Sequence, residues 1–141
     1  MTRDGFAFST RFRVRYSEID GQKIVFNSRY LEYADVAITE FWRWADLSDV
    51  GPAWTEAEFN VVRATVEFKK PFTYDDMIEA FVRIERLGNS SMTVVTELCH
   101  AETGDLHAAI ELISVHVDLA ARRAVAIPDS VRARLEALRA G

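Results

Sequence analysis

The chain is 141 residues long, 49% hydrophobic and 28% charged, with a formal net charge of -5. That length predicts one domain with a real hydrophobic core, and the negative balance argues against a nucleic-acid binder. The single Cys99 rules out an internal disulfide and fits a reducing compartment.

Residues 6–16 alternate. Phe6, Phe8, Phe12, Val14 and Tyr16 share one phase, and Arg11, Arg13 and Arg15 the other, so a strand with one buried face is predicted. The arginine row is read as a solvated or protected edge. Ser17 to Lys23 is polar, contains Gly21 and is read as a loop.

A long helix is expected from about Asn27 or Ser28 to Ala45. Tyr30, Tyr33, Ala34, Ala37, Ile38, Phe41, Trp42 and Ala45 recur at three-and-four spacing, and Leu31, Val36 and Trp44 widen the stripe. So wide an apolar surface predicts a largely buried helix, about 27 Å long at roughly 1.5 Å per residue. Asn27 has the side chain of an N-cap, and Phe26 with Leu31 has the spacing of a hydrophobic staple.

Residues 46–55 hold Gly51 and Pro52 and read as a loop. A strand follows over 60–69, with Val62, Ala64, Val66 and Phe68 on one face and Arg63, Thr65 and Glu67 on the other; Pro71 ends it. Further strands are read over 77–87, 91–100 and 106–119, separated by turns at 88–90 and 102–105. The apolar phase of the last strand switches between Leu112 and Ile113, which predicts a bulge or strong twist. After Pro128 a short amphipathic helix presents Val131, Leu135 and Leu138. Short turns between strands imply antiparallel pairing, so the fold class is α+β: residues 1–141 as one domain, a long central helix wrapped by an antiparallel β-sheet.

No phosphate loop, dinucleotide fingerprint or nucleophile elbow is present. His100, His107 and His116 lack metal-ligand spacing and read as ordinary strand histidines, so neither a metal nor a cofactor is expected; Cys99 reads as a buried thiol. The chemistry that remains lies ahead of the helix. Asp20 precedes the helix start by seven residues. Free N–H groups and the dipole at a helix start stabilise an oxyanion, and a carboxylate beside them serves as nucleophile or general base. On spacing alone, Asp20 beside Gly21 reads first as a turn residue.

The stretch RVRYSEIDGQKIVFNSRYLEYAD resembles the start of hotdog-fold acyl-CoA thioesterases of the 4-hydroxybenzoyl-CoA thioesterase family. VVRATVEFKKPFTYDD, LGNSSMTVVTEL and AIPDSVRARLEAL resemble the family's later strand and Tyr-Asp-Asp turn, its next hairpin and its terminal helix, in the right order. The resemblance implies a thioester hydrolase that converts an acyl-CoA substrate to a carboxylic acid and CoA. Asp20 matches the catalytic Asp. Asn27 stands where the family uses a backbone N–H to polarise the thioester carbonyl. Phe26, Tyr30 and Tyr33 would border the acyl pocket. Family members form homodimers with sites at the subunit boundary, and many form homotetramers, so Arg63 and Thr65 would approach the partner's site. Lys23 stands where the family often has Gly, with Gly21 as an alternative source of flexibility. The basic residues that some members carry at the hairpin matching 88–90 are absent, so those nucleotide contacts are not carried over, and Lys69, Lys70 and Arg86 would be the substitutes. An acyl carrier protein thioesterase and a non-catalytic acyl-CoA-binding domain are the alternatives.

The N-terminal MTRDGFAFST lacks the apolar run of an export signal, and no stretch approaches the roughly 18 apolar residues of a membrane span, so a soluble cytoplasmic protein is expected.

Overall fold

The computed structural model describes residues 2–141. Among them the chain forms β1 (Phe8–Arg13), α1 (Arg29–Ala45), α2 (Pro52–Thr55), β2 (Phe59–Phe68), β3 (Met77–Leu87), β4 (Ser91–His100), β5 (Leu106–Asp118), β6 (Arg123–Ala124) and α3 (Asp129–Ala140). All strand pairings are antiparallel, and the order across the sheet is β1-β3-β4-β5-β2, with β6 extending β5. The sheet wraps α1, as the α+β expectation and the hotdog resemblance require.

Period-two alternation decides which face is buried. Ile78, Ala80, Val82 and Ile84 of β3, Met92, Val94 and Leu98 of β4, and Ala108 and Ile110 of β5 turn inward. They meet Tyr30, Tyr33, Ala34, Ala37 and Phe41 of α1. Ala34 and Ala37 are fully buried and let the helix backbone approach the sheet. Each large side chain buried here stabilises the fold by about 1.5–3 kcal/mol before conformational entropy is counted.

The structure corrects the sequence reading in several places. The first strand stops at Arg13, and Tyr16–Glu18 forms a 3-10 turn, because the Glu18 carboxylate captures the Arg15 N–H and bends the chain. Tyr16 is therefore 78% exposed rather than core. Helix α1 starts at Arg29, with Phe26 and Asn27 carbonyls accepting the Arg29 and Tyr30 N–H groups in a tight first turn. Asn27 thus lies outside the helix, and the cap position falls to Ser28. The expected wide burial of α1 is only one-sided: Leu31, Val36 and Trp44 are exposed. Strand β2 is an edge that pairs with β5 alone and is mostly exposed. The predicted irregularity near Leu112–Ile113 is present, but the extra residue is on the β2 side, where the register shifts between Val61 and Arg63.

Helix α3 packs against β3. Val131 and Leu135 join the core. Arg134 donates to the Ala45 and Asp46 carbonyls at 3.4 and 3.0 Å, satisfying carbonyl groups that the end of α1 leaves free.

Candidate active site

The loop between β1 and α1 is stitched at several points. Ile19 and Val25 form an isolated antiparallel bridge, and the Asp20 N–H donates to the Ile24 carbonyl at 2.9 Å. The Lys23 N–H returns to the Asp20 carbonyl at 3.0 Å, and the Gln22 N–H donates to Asp20 Oδ1 at 2.7 Å. The Val25 N–H reaches the Phe72 carbonyl at 2.9 Å and fixes the loop to the core. The turn is completed by Lys23 itself, whose φ of 67° is left-handed. Gly21 has no such φ and does not supply the freedom expected of it.

Asp20, Asn27 and Tyr30 meet in one cleft of about 370 Å³, with Phe68, Lys69 and Pro71 on the opposite wall. Asp20 is half-buried and Asn27 exposed, whereas Tyr30 is buried and offers the cleft its ring. The Tyr30 hydroxyl is occupied elsewhere, accepting the Phe72 N–H at 3.2 Å. Burial raises the Tyr30 hydroxyl above its ordinary range, so it stays protonated. The Tyr30 ring packs edge-on against Phe68, centroid to centroid 5.0 Å, and joins the α1 wall to the end of β2.

Lys69 and Lys70 line this cleft, and Arg86 does not. Their backbone N–H groups donate to the His107 carbonyl at 2.8 and 3.1 Å. Their ammonium groups pair with Glu67 and Asp105 at 3.2 and 3.0 Å. His107 lies behind the wall, its ring stacked on Phe72 at 4.2 Å. Among the described residues His107 Nδ1 has no hydrogen-bond partner, and no group of three or more metal-binding side chains is gathered.

The other predicted site residues lie apart. Phe26 is 48% exposed and outside the cleft lining. Arg63 and Thr65 are exposed on β2 and line neither this cleft nor the larger cavity beside it. Tyr33 is buried and donates its hydroxyl to Glu18 Oε1 at 2.8 Å. That partnership joins residues fifteen apart, and no local sequence pattern marks it. The larger cavity, about 530 Å³, runs between α1 and β2 and is walled by Leu31, Ile38, Trp42, Trp54, Ala64 and Leu112. It is mainly apolar and does not contain Asp20.

A family model, the thioesterase-like superfamily, matches residues 14–135. The chain is 28% identical over 124 residues to the acyl-CoA thioester hydrolase YbgC of Escherichia coli, covering 88% of this chain and 92% of that one. A crystal structure of a hypothetical protein from Aquifex aeolicus superposes with a TM-score of 0.79 at 28% identity, covering 91% and 98% of the two chains. A thioesterase from Thermus thermophilus, crystallised with coenzyme A and Zn, shares the fold with a TM-score of 0.81 at 24% identity over 99% of each chain.

Proposed function

Because this chain belongs to the thioesterase-like superfamily, we propose that it hydrolyses an acyl-CoA thioester to the free carboxylic acid and CoA. The observation that carries the reading is a single cleft holding the Asp20 carboxylate beside the start of α1. The likeness to an acyl-CoA thioester hydrolase supports the choice of thioester and carrier.

The thioester carbonyl would lie at the start of α1. The Asn27 N–H donates to no group among the described residues, and it stands at the positive end of the helix dipole. Charge that develops on the carbonyl oxygen during attack is stabilised there. Asp20 then acts in one of two ways. As nucleophile, its oxygen bonds to the acyl carbon, the C–S bond breaks, and water cleaves the resulting anhydride. As general base, it takes a proton from water, the hydroxide adds to the carbonyl, and the thiolate leaves with that proton. Both routes need the ionised carboxylate.

The apolar cavity between α1 and β2 suits the acyl group. Lys69 and Lys70, now paired with Glu67 and Asp105, would exchange those partners for the carrier's phosphates. Edge strand β2 supports assembly into a homodimer or homotetramer, in which Arg63 and Thr65 would serve the partner's site. The lone buried thiol suits the cytoplasm.

Free-thiol release from short, medium, long and aromatic acyl-CoAs tests the reading. Wild type should release thiol and Asp20→Asn should lose the rate by about 100-fold or more. Equal rates in both proteins would remove Asp20 from the chemistry. Absence of release from every acyl-CoA would shift the reading to a carrier-protein thioester or to binding alone.

A further inference from the structure

The chemistry above leaves two buried carboxylates without a role, Glu18 and Glu79, and Glu18 is the one beside the site. Glu18 is 4% exposed and sits two residues before Asp20. Its Oε1 accepts the Arg15 N–H and the Tyr33 O–H, each at 2.8 Å, and its Oε2 accepts from the Arg15 guanidinium at 3.0 Å. Its backbone carbonyl accepts the Phe26 N–H at 2.9 Å. One residue thereby grips the exit of β1, the far end of the Asp20 loop and the second turn of α1.

Packing alone does not call for this arrangement. The Arg15 side chain is 72% exposed, so its ion pair adds little stability, and burying the Glu18 carboxylate costs more than an apolar residue of similar shape would. Burial raises the Glu18 carboxyl, but the Arg15 N–H, the Tyr33 hydroxyl and the Arg15 guanidinium together hold it below the usual range. Burial, then Glu18, push the Tyr33 hydroxyl far above its ordinary value, so it remains a donor. The donor set is fixed across the working pH range.

Resting on the thioesterase reading, we propose that Glu18 and Tyr33 form a positioning pair that sets the Asp20 carboxylate against the start of α1, across the base of a loop tied at Glu18–Phe26 and Ile19–Val25. Neither residue touches substrate. Each acts through the placement of Asp20, and a misplacement of about 1 Å is enough to cost a reaction roughly 100-fold.

The test is a kinetic cycle on the full chain, with thiol release from the best acyl-CoA of the panel. Tyr33→Phe removes one hydroxyl and keeps the ring beside Phe12 and Tyr30. We expect kcat to fall about tenfold or more, with KM changed less than about twofold. In an Asp20→Asn background the same substitution should cost nothing further, because the group it positions no longer reacts. Glu18→Gln keeps Oε1 as an acceptor and should recover most of the kcat that Glu18→Ala loses. A Tyr33→Phe enzyme with wild-type kcat would overturn the pair. So would an equal fractional loss in the Asp20→Asn background, or equal losses in Glu18→Gln and Glu18→Ala. Inactive wild type would overturn the thioesterase reading and the pair with it, whereas active wild type with an indifferent Tyr33→Phe would overturn the pair alone.

Discussion

Lys23 holds a backbone conformation that its own Cβ disfavours. Its φ is 67°, and a left-handed conformation costs an L-residue about 1–2 kcal/mol. The strain is local to the turn that returns the Lys23 N–H to Asp20. Gly21, two residues earlier, is not left-handed, and a Cβ there would meet nothing within 4 Å. Gly21→Ala should therefore stabilise the protein by about 0.4–1 kcal/mol, by narrowing the unfolded ensemble. Thermal denaturation should show Tm higher by about 1–4 °C; a lower Tm would contradict this account of the loop. The resemblance singled out Asp20 in the sequence, and the structure puts it nine residues before Arg29, in a cleft that Asn27 also lines. The left-handed residue was not, because only glycine advertises such a φ. Asn27 misled for a related reason. Its side chain suits a cap, but two carbonyls tighten the first turn and move the helix start past it.

Strand β5 carries a titratable group into the wall behind the cleft. The register with β4 passes from Leu98↔Ala108 to Cys99↔Leu106, leaving His107 as the extra residue under Phe72. Burial lowers its basicity below the ordinary value of 6.5, and His100 lowers it further, while Asp76 and Asp105 act in the other direction and Lys70 with His100. Between the lowered value and 6.5 the unfolded chain binds a proton that the folded chain does not. Stability is therefore fully present above about pH 6.5 and falls as pH drops below it. Urea unfolding of wild type at pH 5 and pH 7.5 should show that loss, and His107→Gln should shrink it; identical pH dependence in both would contradict the assignment. The main elements, the antiparallel sense of the strands and the long helix were readable, since alternation and spacing reflect the faces that must be buried; that β2 pairs with β5 and β1 with β3 was not. A bulge that turns His107 inward leaves no such trace, and neither does the one-sided exposure of Leu31, Val36 and Trp44.

At the scale of the whole molecule, the proposed assembly rests on the edge of the sheet. Edge strand β2 exposes Val61, Val62 and Phe68, at 57%, 62% and 55%. An apolar, exposed edge favours pairing with another strand. Arg63 and Thr65 lie on the same strand and outside the Asp20 cleft. Light scattering should find a dimer or tetramer, and Val61→Lys should shift it toward monomer with loss of hydrolysis. A fully active monomer would contradict the subunit-boundary reading. The sequence marked β2 as a strand and left its edge position open, because strand order depends on pairings between residues far apart. The larger cavity was hidden for the same reason, its walls coming from α1, α2, β2, β4 and β5.

Thiol release by wild type and Asp20→Asn on the acyl-CoA panel tests the central claim most directly. Asn nearly preserves shape and removes the charge, so both proteins should fold alike. The account predicts release by wild type and a loss of about 100-fold or more in the variant. Equal release by both would contradict it, and the chemistry would then belong to another residue.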